Sequence, residues 1–445
     1  MIVRGGLLAA PEGMVAADLA VEDGRIAKLG QELSGESQEI DARGLVVLPG
    51  LIDVHVHFNQ PGRDDWEGAA TGSRALAAGG GTLFFDMPLN SSPCTVGPAE
   101  FDAKRAALER SSVTDFALWG GMVPGNRAAL AELAGRGAIG FKAFMADSGL
   151  PEFPRCDDLT LYEGMCEAAA LGLPVAVHAE SNELVQALTR RAVQAGRTGV
   201  RDFLDSRPVL AEVEAIQRAA LLAGEAGAKL HIVHVSSGRG VLAALEARAR
   251  GVDLSIETCA HYLHFTEADM ERLGAVAKCA PPLRPASERK WLSRALLRGD
   301  IDMVASDHSP APAFMKQGDN FFEIWGGIAG VQSTLAVLLD LAPPERIAAL
   351  TATNPALRFG IEGKGRLAAG CDADFTLVDV EAQYTVTRES LFQKHGLSPY
   401  VGTAFRGVVR RTVLRGETIF ADGKSMGDVR GRMVRSTHAT TRTDA

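Results

Sequence analysis

VVLPGLIDVHVHFN (46–59) is the stretch on which the reading of this chain turns. It is an apolar run with two histidines, His55 and His57, near its end. In a strand, positions i and i+2 share a face, so both imidazoles point the same way. Seven more short apolar runs follow: GTLFFDM (81–87), VTDFALWGGM (113–122), AIGFKAFM (138–145), PVAVHAE (174–180), KLHIVHVSS (229–237), VDLSIETCAHYL (252–263) and IDMVASDHSP (301–310). Between them lie segments of helical spacing, such as 157–172 and the single long helix expected over 209–227. Strands alternating with helices imply parallel βαβ units, and eight of them imply a (β/α)8 TIM barrel with its active site at the C-terminal strand ends. The barrel is expected over residues 50–360.

The two ends of the chain read differently. Ile2-Val3 and Leu7-Leu8 flank Gly5-Gly6, and Ala17–Val21 runs through Asp23-Gly24, a hairpin signal, into Ile26–Leu29. Phe375–Val380, Gly407–Val413 and Glu417–Phe420 have the same texture. Residues 1–49 and 361–424 thus point to one small β-sandwich domain built from both chain ends; two separate β extensions are the alternative. Residues 425–445, rich in Arg, Thr and Ser, read as a poorly ordered tail.

The 445 residues carry a formal charge of −9 and no basic block, which argues against nucleic acid or an anionic membrane as the main partner. A hydrophobic content of 46% with 23% charged residues is that of a globular chain. The six cysteines form no CxxC pair, so neither a disulfide framework nor a zinc knuckle is expected. With no signal-peptide core and no membrane-length apolar stretch, a cytoplasmic protein is expected.

The polar residues inside the apolar runs carry the chemistry. His55, His57, Lys142, His178, His234 and Asp307 all fall near the ends of predicted strands. Singly, a buried His is more often a core residue, a Lys at a strand end snorkels, and an Asp after a strand caps a helix. Together they form a metal-ligand set too large for one tetrahedral zinc, which two metals sharing ligands would accommodate. A protonated lysine is a poor ligand, but a desolvated neutral one can react with CO2 to give a carbamate whose two oxygens bridge a metal pair.

At this point the sequence resembles the cyclic-amidohydrolase branch of the amidohydrolase superfamily, and within it the allantoinases. The resemblance is carried by PGLIDVHVHFNQPGRDDWEG (49–68), FFDMPLNSSPCT (84–95), GFKAFMADSG (140–149), VHAE (177–180) and HIVHVSS (231–237). ETCAHYL (257–263), KCAPPLR (278–284), SDHSP (306–310), WGGIAGVQ (325–332) and GRLAAGCDADFTLVD (365–379) continue it in the family's order. It implies two Zn2+ per subunit: His55, His57 and Asp307 on one, His178 and His234 on the other, with carbamylated Lys142 (N6-carboxylysine) and a hydroxide between them. It also implies ring opening of allantoin to allantoate, Asp307 as the catalytic proton carrier, and a homotetramer.

Relatives within the branch are separated by a few positions. Dihydroorotases place an Arg two residues after the second His; here Asn59 stands there, expected to bind a neutral substrate, with Arg63 as a possible spatial substitute. Hydantoinases and dihydropyrimidinases carry a Tyr five residues after the lysine; here it is Asp147. The same relatives hold the ring through main-chain groups at positions matching Ala280 and Gly326. A non-catalytic dihydropyrimidinase-like scaffold would have lost ligands, and all six are present. His261 and His264 are expected to be supporting or core residues, and Trp325 to wall the pocket or simply pack.

Overall fold

The computed structural model describes residues 1–34, 38–426 and 431–439. The N-terminal strands are β1 (Ile2–Ala10), β2 (Gly13–Glu22), β3 (Arg25–Gly30), β4 (Glu39–Asp41) and β5 (Val46–Pro49). The barrel contributes β6 (Leu51–Val56), β7 (Gly81–Asp86), β8 (Asp115–Leu118), β9 (Gly120–Gly121), β10 (Phe141–Phe144), β11 (Val175–His178), β12 (Leu230–Ile232), β13 (Leu254–Cys259) and β14 (Met303–Ala305). The chain returns through β15 (Phe375–Thr385), β16 (Ala404–Leu414), β17 (Glu417–Ala421) and β18 (Lys424–Ser425).

The ends form one unit, not two extensions. Their nine strands run in the order β18-β17-β16-β15-β5-β1-β2-β3, with β4 beside β1. The seam between the termini is β5 against β15, where Pro49 faces Phe375. Val3, Leu19, Ile26, Val47, Phe375 and Val413 close over a common core, giving the small β-sandwich. The break between sandwich and barrel is Gly50, whose amide donates to the Asp374 carbonyl at 2.9 Å; a Cβ there would lie 2.3 Å from Thr82 Oγ1.

The barrel strands are parallel and follow chain order. Each apolar run in the sequence supplies one staves' worth of barrel, and the third is split at Trp119 into β8, which pairs with β7, and β9, which pairs with β10. His57 N donating to His308 O at 2.8 Å closes the last strand onto the first. The long helix spans Val209–Ala226 and stops at Gly227, whose φ of 64° fits a left-handed C-cap.

Residues 431–439 correct the expectation of a disordered tail. They run along the edge of β8 that faces β10: Phe116 N donates to Arg432 O at 3.0 Å, and Val434 N to Phe116 O at 2.7 Å. The rest of the expected tail, 427–430 and 440–445, lies outside the described residues. Composition misled here because pairing needs only main chain and an open edge, which the split strand provides. Asp115 on β8 ties the parts together, accepting from Arg432 N at 2.8 Å, from Arg415 and from Lys364 Nζ at 2.9 Å. Lys364 reaches Asp372 at 3.0 Å and Asp374 at 2.5 Å on the way into β15. Among the described residues, no helix is long and apolar enough to cross a membrane.

Candidate metal centre

The C-terminal strand ends open onto a cavity of about 390 Å3. His55, His57, His178, His234 and Asp307 line it, arriving from or just beyond β6, β11, β12 and β14. Lys142, on β10, is completely buried behind that wall. His234 and Asp307 leave their strands with φ of 41° and 45°. Few non-glycine residues accept that left-handed geometry, which costs on the order of 1 kcal/mol or more and turns the side chain sharply into the cavity.

The donor atoms are spaced for metal. A tetrahedral ion with bonds of about 2.05 Å sets neighbouring donors about 3.3 Å apart. His55 Nε2 and His57 Nε2 lie 3.3 and 3.4 Å from Asp307 Oδ1, a metal-binding His-His-Asp group. His178 Nδ1 and His234 Nε2 face each other at 3.0 Å. Burial disfavours Asp307 ionisation, but His55 and His57 outweigh it and hold the carboxyl well below the usual range. Among the described residues Lys142 Nζ has no hydrogen-bond partner, and burial pushes its pKa down to about 8 against the pull of Glu257 and Asp307. A buried amine without a partner is costly as it stands.

Behind these groups stands a row of carboxylates that reading the sequence for ligands passed over. Glu257 on β13 accepts from His55 Nδ1 at 2.9 Å, His231 Nε2 at 3.0 Å and His234 N at 3.0 Å. With Nδ1 committed, His55 offers Nε2 to the cavity. Burial opposes the charge on Glu257, yet His55 and His231 bring its pKa to about 2. Glu180 plays the matching part for His178, 2.8 Å from its Nε2, and is also paired with Arg207. Asp53 Oδ1 accepts from His55 N at 3.2 Å and Ser306 N at 3.1 Å, bracing the first and last barrel strands. For Asp53 the signal was there, a carboxylate inside an apolar strand two residues from a ligand and so on its face. Glu180 stands two residues past His178, beyond the strand end, and Glu257 has no ligand beside it in sequence.

The cavity wall also includes Asn90, Asp147, Gln186, Arg207, Lys278 and Ser309. Ala280, Gly326 and Trp325 also line it. Asn59 does not: it is buried, with Nδ2 donating to the Pro310 carbonyl at 3.3 Å, so the side-chain amides on the wall are those of Asn90 and Gln186. Arg63 is no substitute, being paired with Glu152 at 2.6 Å and lying outside the lining. His261 is buried within reach of the Asp307 charge, with burial pushing its pKa to about 4. His264 packs away from the cavity against Phe265, Tyr400 and Phe405.

Comparison with known proteins agrees with this geometry. Residues 46–419 match the amidohydrolase family. The chain is 65% identical to an allantoinase of Solibacter usitatus, covering 99% of this chain and 98% of the relative. It is 55% identical to an allantoinase of Rubrobacter xylanophilus, over 98% and 97%. Among solved structures it superposes on an L-hydantoinase (dihydropyrimidinase) from Arthrobacter aurescens with a TM-score of 0.94 and 33% identity, covering 98% of this chain and 99% of that one. A D-hydantoinase gives a TM-score of 0.91 at 30% identity, over 99% of both chains. A barrel with a His-His-Asp metal group and a sandwich sewn from both termini, matched end to end by these relatives, makes this chain a metal-dependent cyclic amidohydrolase of the allantoinase family.

Proposed function

We propose that the chain opens the hydantoin ring of allantoin to give allantoate at a two-zinc centre. His55, His57 and Asp307 would hold one ion, His178 and His234 the other, and Lys142, as a carbamate, would bridge them. The observation that carries this reading is Lys142: a buried amine with no hydrogen-bond partner among the described residues, set among histidines and carboxylates, is explained if it leaves the amine form. When bound, the two ions supply a water of lowered pKa and polarise the ring carbonyl.

The chain's own groups do the rest. Asp307 stays ionised at neutral pH, ready to accept the water proton and return it to the departing ring nitrogen. Glu257 and Glu180 fix the tautomers of His55 and His178. Main-chain groups of Ala280 and Gly326 hold the ring, the reading that the wall supports best.

Substrate charge follows from the wall. Its cations among the described residues are Arg207, paired with Glu180, and Lys278, held by backbone carbonyls. A substrate carboxylate would therefore be buried without a free partner, costing at least about 1.5–3 kcal/mol, whereas allantoin is neutral. We expect purified enzyme to favour allantoin over dihydroorotate by at least about 10- to 10²-fold in kcat/KM, that cost converted at 1.4 kcal/mol per decade. A side-by-side panel of allantoin, dihydroorotate, dihydrouracil and hydantoin, with metal content measured on the same sample, tests this. Equal efficiency on dihydroorotate rejects the substrate assignment.

The hydantoinase likeness gives a second reading. The position where hydantoinases carry a tyrosine is here Asp147, on the cavity wall. A carboxylate there does not donate to a developing oxyanion as a tyrosine does, so the wall departs from the hydantoinase pattern at this position.

A further inference from the structure

We infer that Lys278 is a positioning residue for substrate: its buried ammonium clamps the 321–327 segment, which carries Gly326, against the segment that carries Ala280. The inference rests on the reading of this cavity as the ring-binding site.

Lys278 is 4% exposed. Its Nζ donates to the carbonyls of Phe321 at 2.6 Å, Phe322 at 3.3 Å and Ile324. Its own carbonyl accepts from Gly327 N at 2.7 Å. One residue therefore grips both ends of the segment, by side chain at 321–324 and by main chain at 327. Lys316 adds a second grip, donating to Trp325 O at 3.0 Å and Gly327 O at 2.7 Å.

This stretch has no helix or strand to satisfy its carbonyls. They turn instead to two ammonium groups, while Ile324, Trp325, Gly326 and Gly327 line the cavity. Lys278 lies 4.8 Å from the Phe203 ring centroid and 5.2 Å from that of Phe321, and its charged neighbours are the cations Arg207 and Lys316. A lysine serving only the core would gain from a carboxylate; this one is surrounded by the carbonyls of one loop. Carbonyl dipoles and ring faces hold the ammonium in place of a counter-ion.

The test is Lys278→Met, which keeps length and removes the donor, in zinc-loaded enzyme. KM and kcat are measured on whichever cyclic amide the wild type turns over, beside zinc content and hydrogen exchange of 321–327. We expect zinc content unchanged, kcat within about threefold, KM raised about tenfold, the size of one lost charged hydrogen bond, and faster exchange confined to that segment. Should Lys278→Met not fold, Lys316→Met reads the other grip, with a smaller rise in KM and a shifted Trp325 emission. An unchanged KM in the folded variant, or a fall in kcat that follows lost zinc, overturns the inference. Failure of wild type on allantoin with turnover of another ring would reject the substrate assignment and leave the clamp to be judged by KM and exchange.

Discussion

Glu257→Gln separates the charge behind the metal group from the shape of the site. Glu257 Oε1 takes His55 Nδ1 and His234 N, while Oε2 takes His231 Nε2. A glutamine oxygen placed at Oε1 keeps the first two contacts. Its amide then meets His231, which can exchange tautomers because Ser255 Oγ, 2.8 Å from Nδ1, serves as donor or acceptor. The fold should survive at a cost between about 1 kcal/mol, the value of one rearranged neutral hydrogen bond, and about 3 kcal/mol, the ceiling set by a carboxyl held at about 2 against 4.5. What is lost is the negative charge that polarises His55 toward metal, and such losses weaken metal binding about 10–100-fold, or about 1.4–2.8 kcal/mol. Zinc affinity by chelator competition, paired with urea unfolding of the metal-free chain, measures both quantities. Affinity within twofold of wild type in a folded variant would refute the reasoning. Glu257→Ala is uninformative by comparison, since it strands three buried donors at once.

Three further outcomes are expected. Lys142→Ala should lose most bound zinc and turnover while keeping its fold, with short carboxylic acids restoring some rate; zinc content and rate near wild type reject the bridge. Asp307→Asn keeps an oxygen ligand but not the base, so it should retain much of the zinc and lose about 10²–10⁴ in kcat; metal analysis beside steady-state rates decides it. The metal-free chain should weaken on acidification in two stages. His261, held at about 4 against 6.5, lets the unfolded state bind its proton first, removing at most about 3 kcal/mol as pH falls from 6.5 towards 4. Glu180 and Glu257, held at about 2 against 4.5, contribute above pH 4.5 and lose that contribution as pH falls towards 2. Urea midpoints that stay level between pH 7 and pH 5 contradict the first stage.

The barrel was legible because its strands are short apolar runs, and the ligand-type residues were legible because each interrupts such a run. His55, His57, His178, His234 and Asp307 announce themselves as polar groups at apolar strand ends. Asn59 obeyed the same rule and still turned into the protein, since its φ of 63° lets a local turn, not strand alternation, set its direction. Glu257 and Glu180 were in view but unweighted, because a carboxylate's job depends on which histidine faces it across the barrel. Lys278 carried no signal: its partners are carbonyls, which every residue has. The docking of 431–439 was equally hidden, being main chain against main chain.

The sandwich has a consequence for how the chain is made. β1, β2 and β3 join through short turns and can pair as they emerge from the ribosome. β5 cannot finish: one edge waits for β15, made only after the whole barrel has been translated. Val46 and Val47 therefore sit on an open, apolar strand edge through most of synthesis, the condition under which chains pair with their neighbours instead of themselves. Folding of the small domain is governed by contacts between the ends of the polypeptide, the slowest kind to form. A nascent chain arrested before Phe375 leaves that edge unpaired, so premature termination within the barrel is expected to favour aggregation over a smaller enzyme.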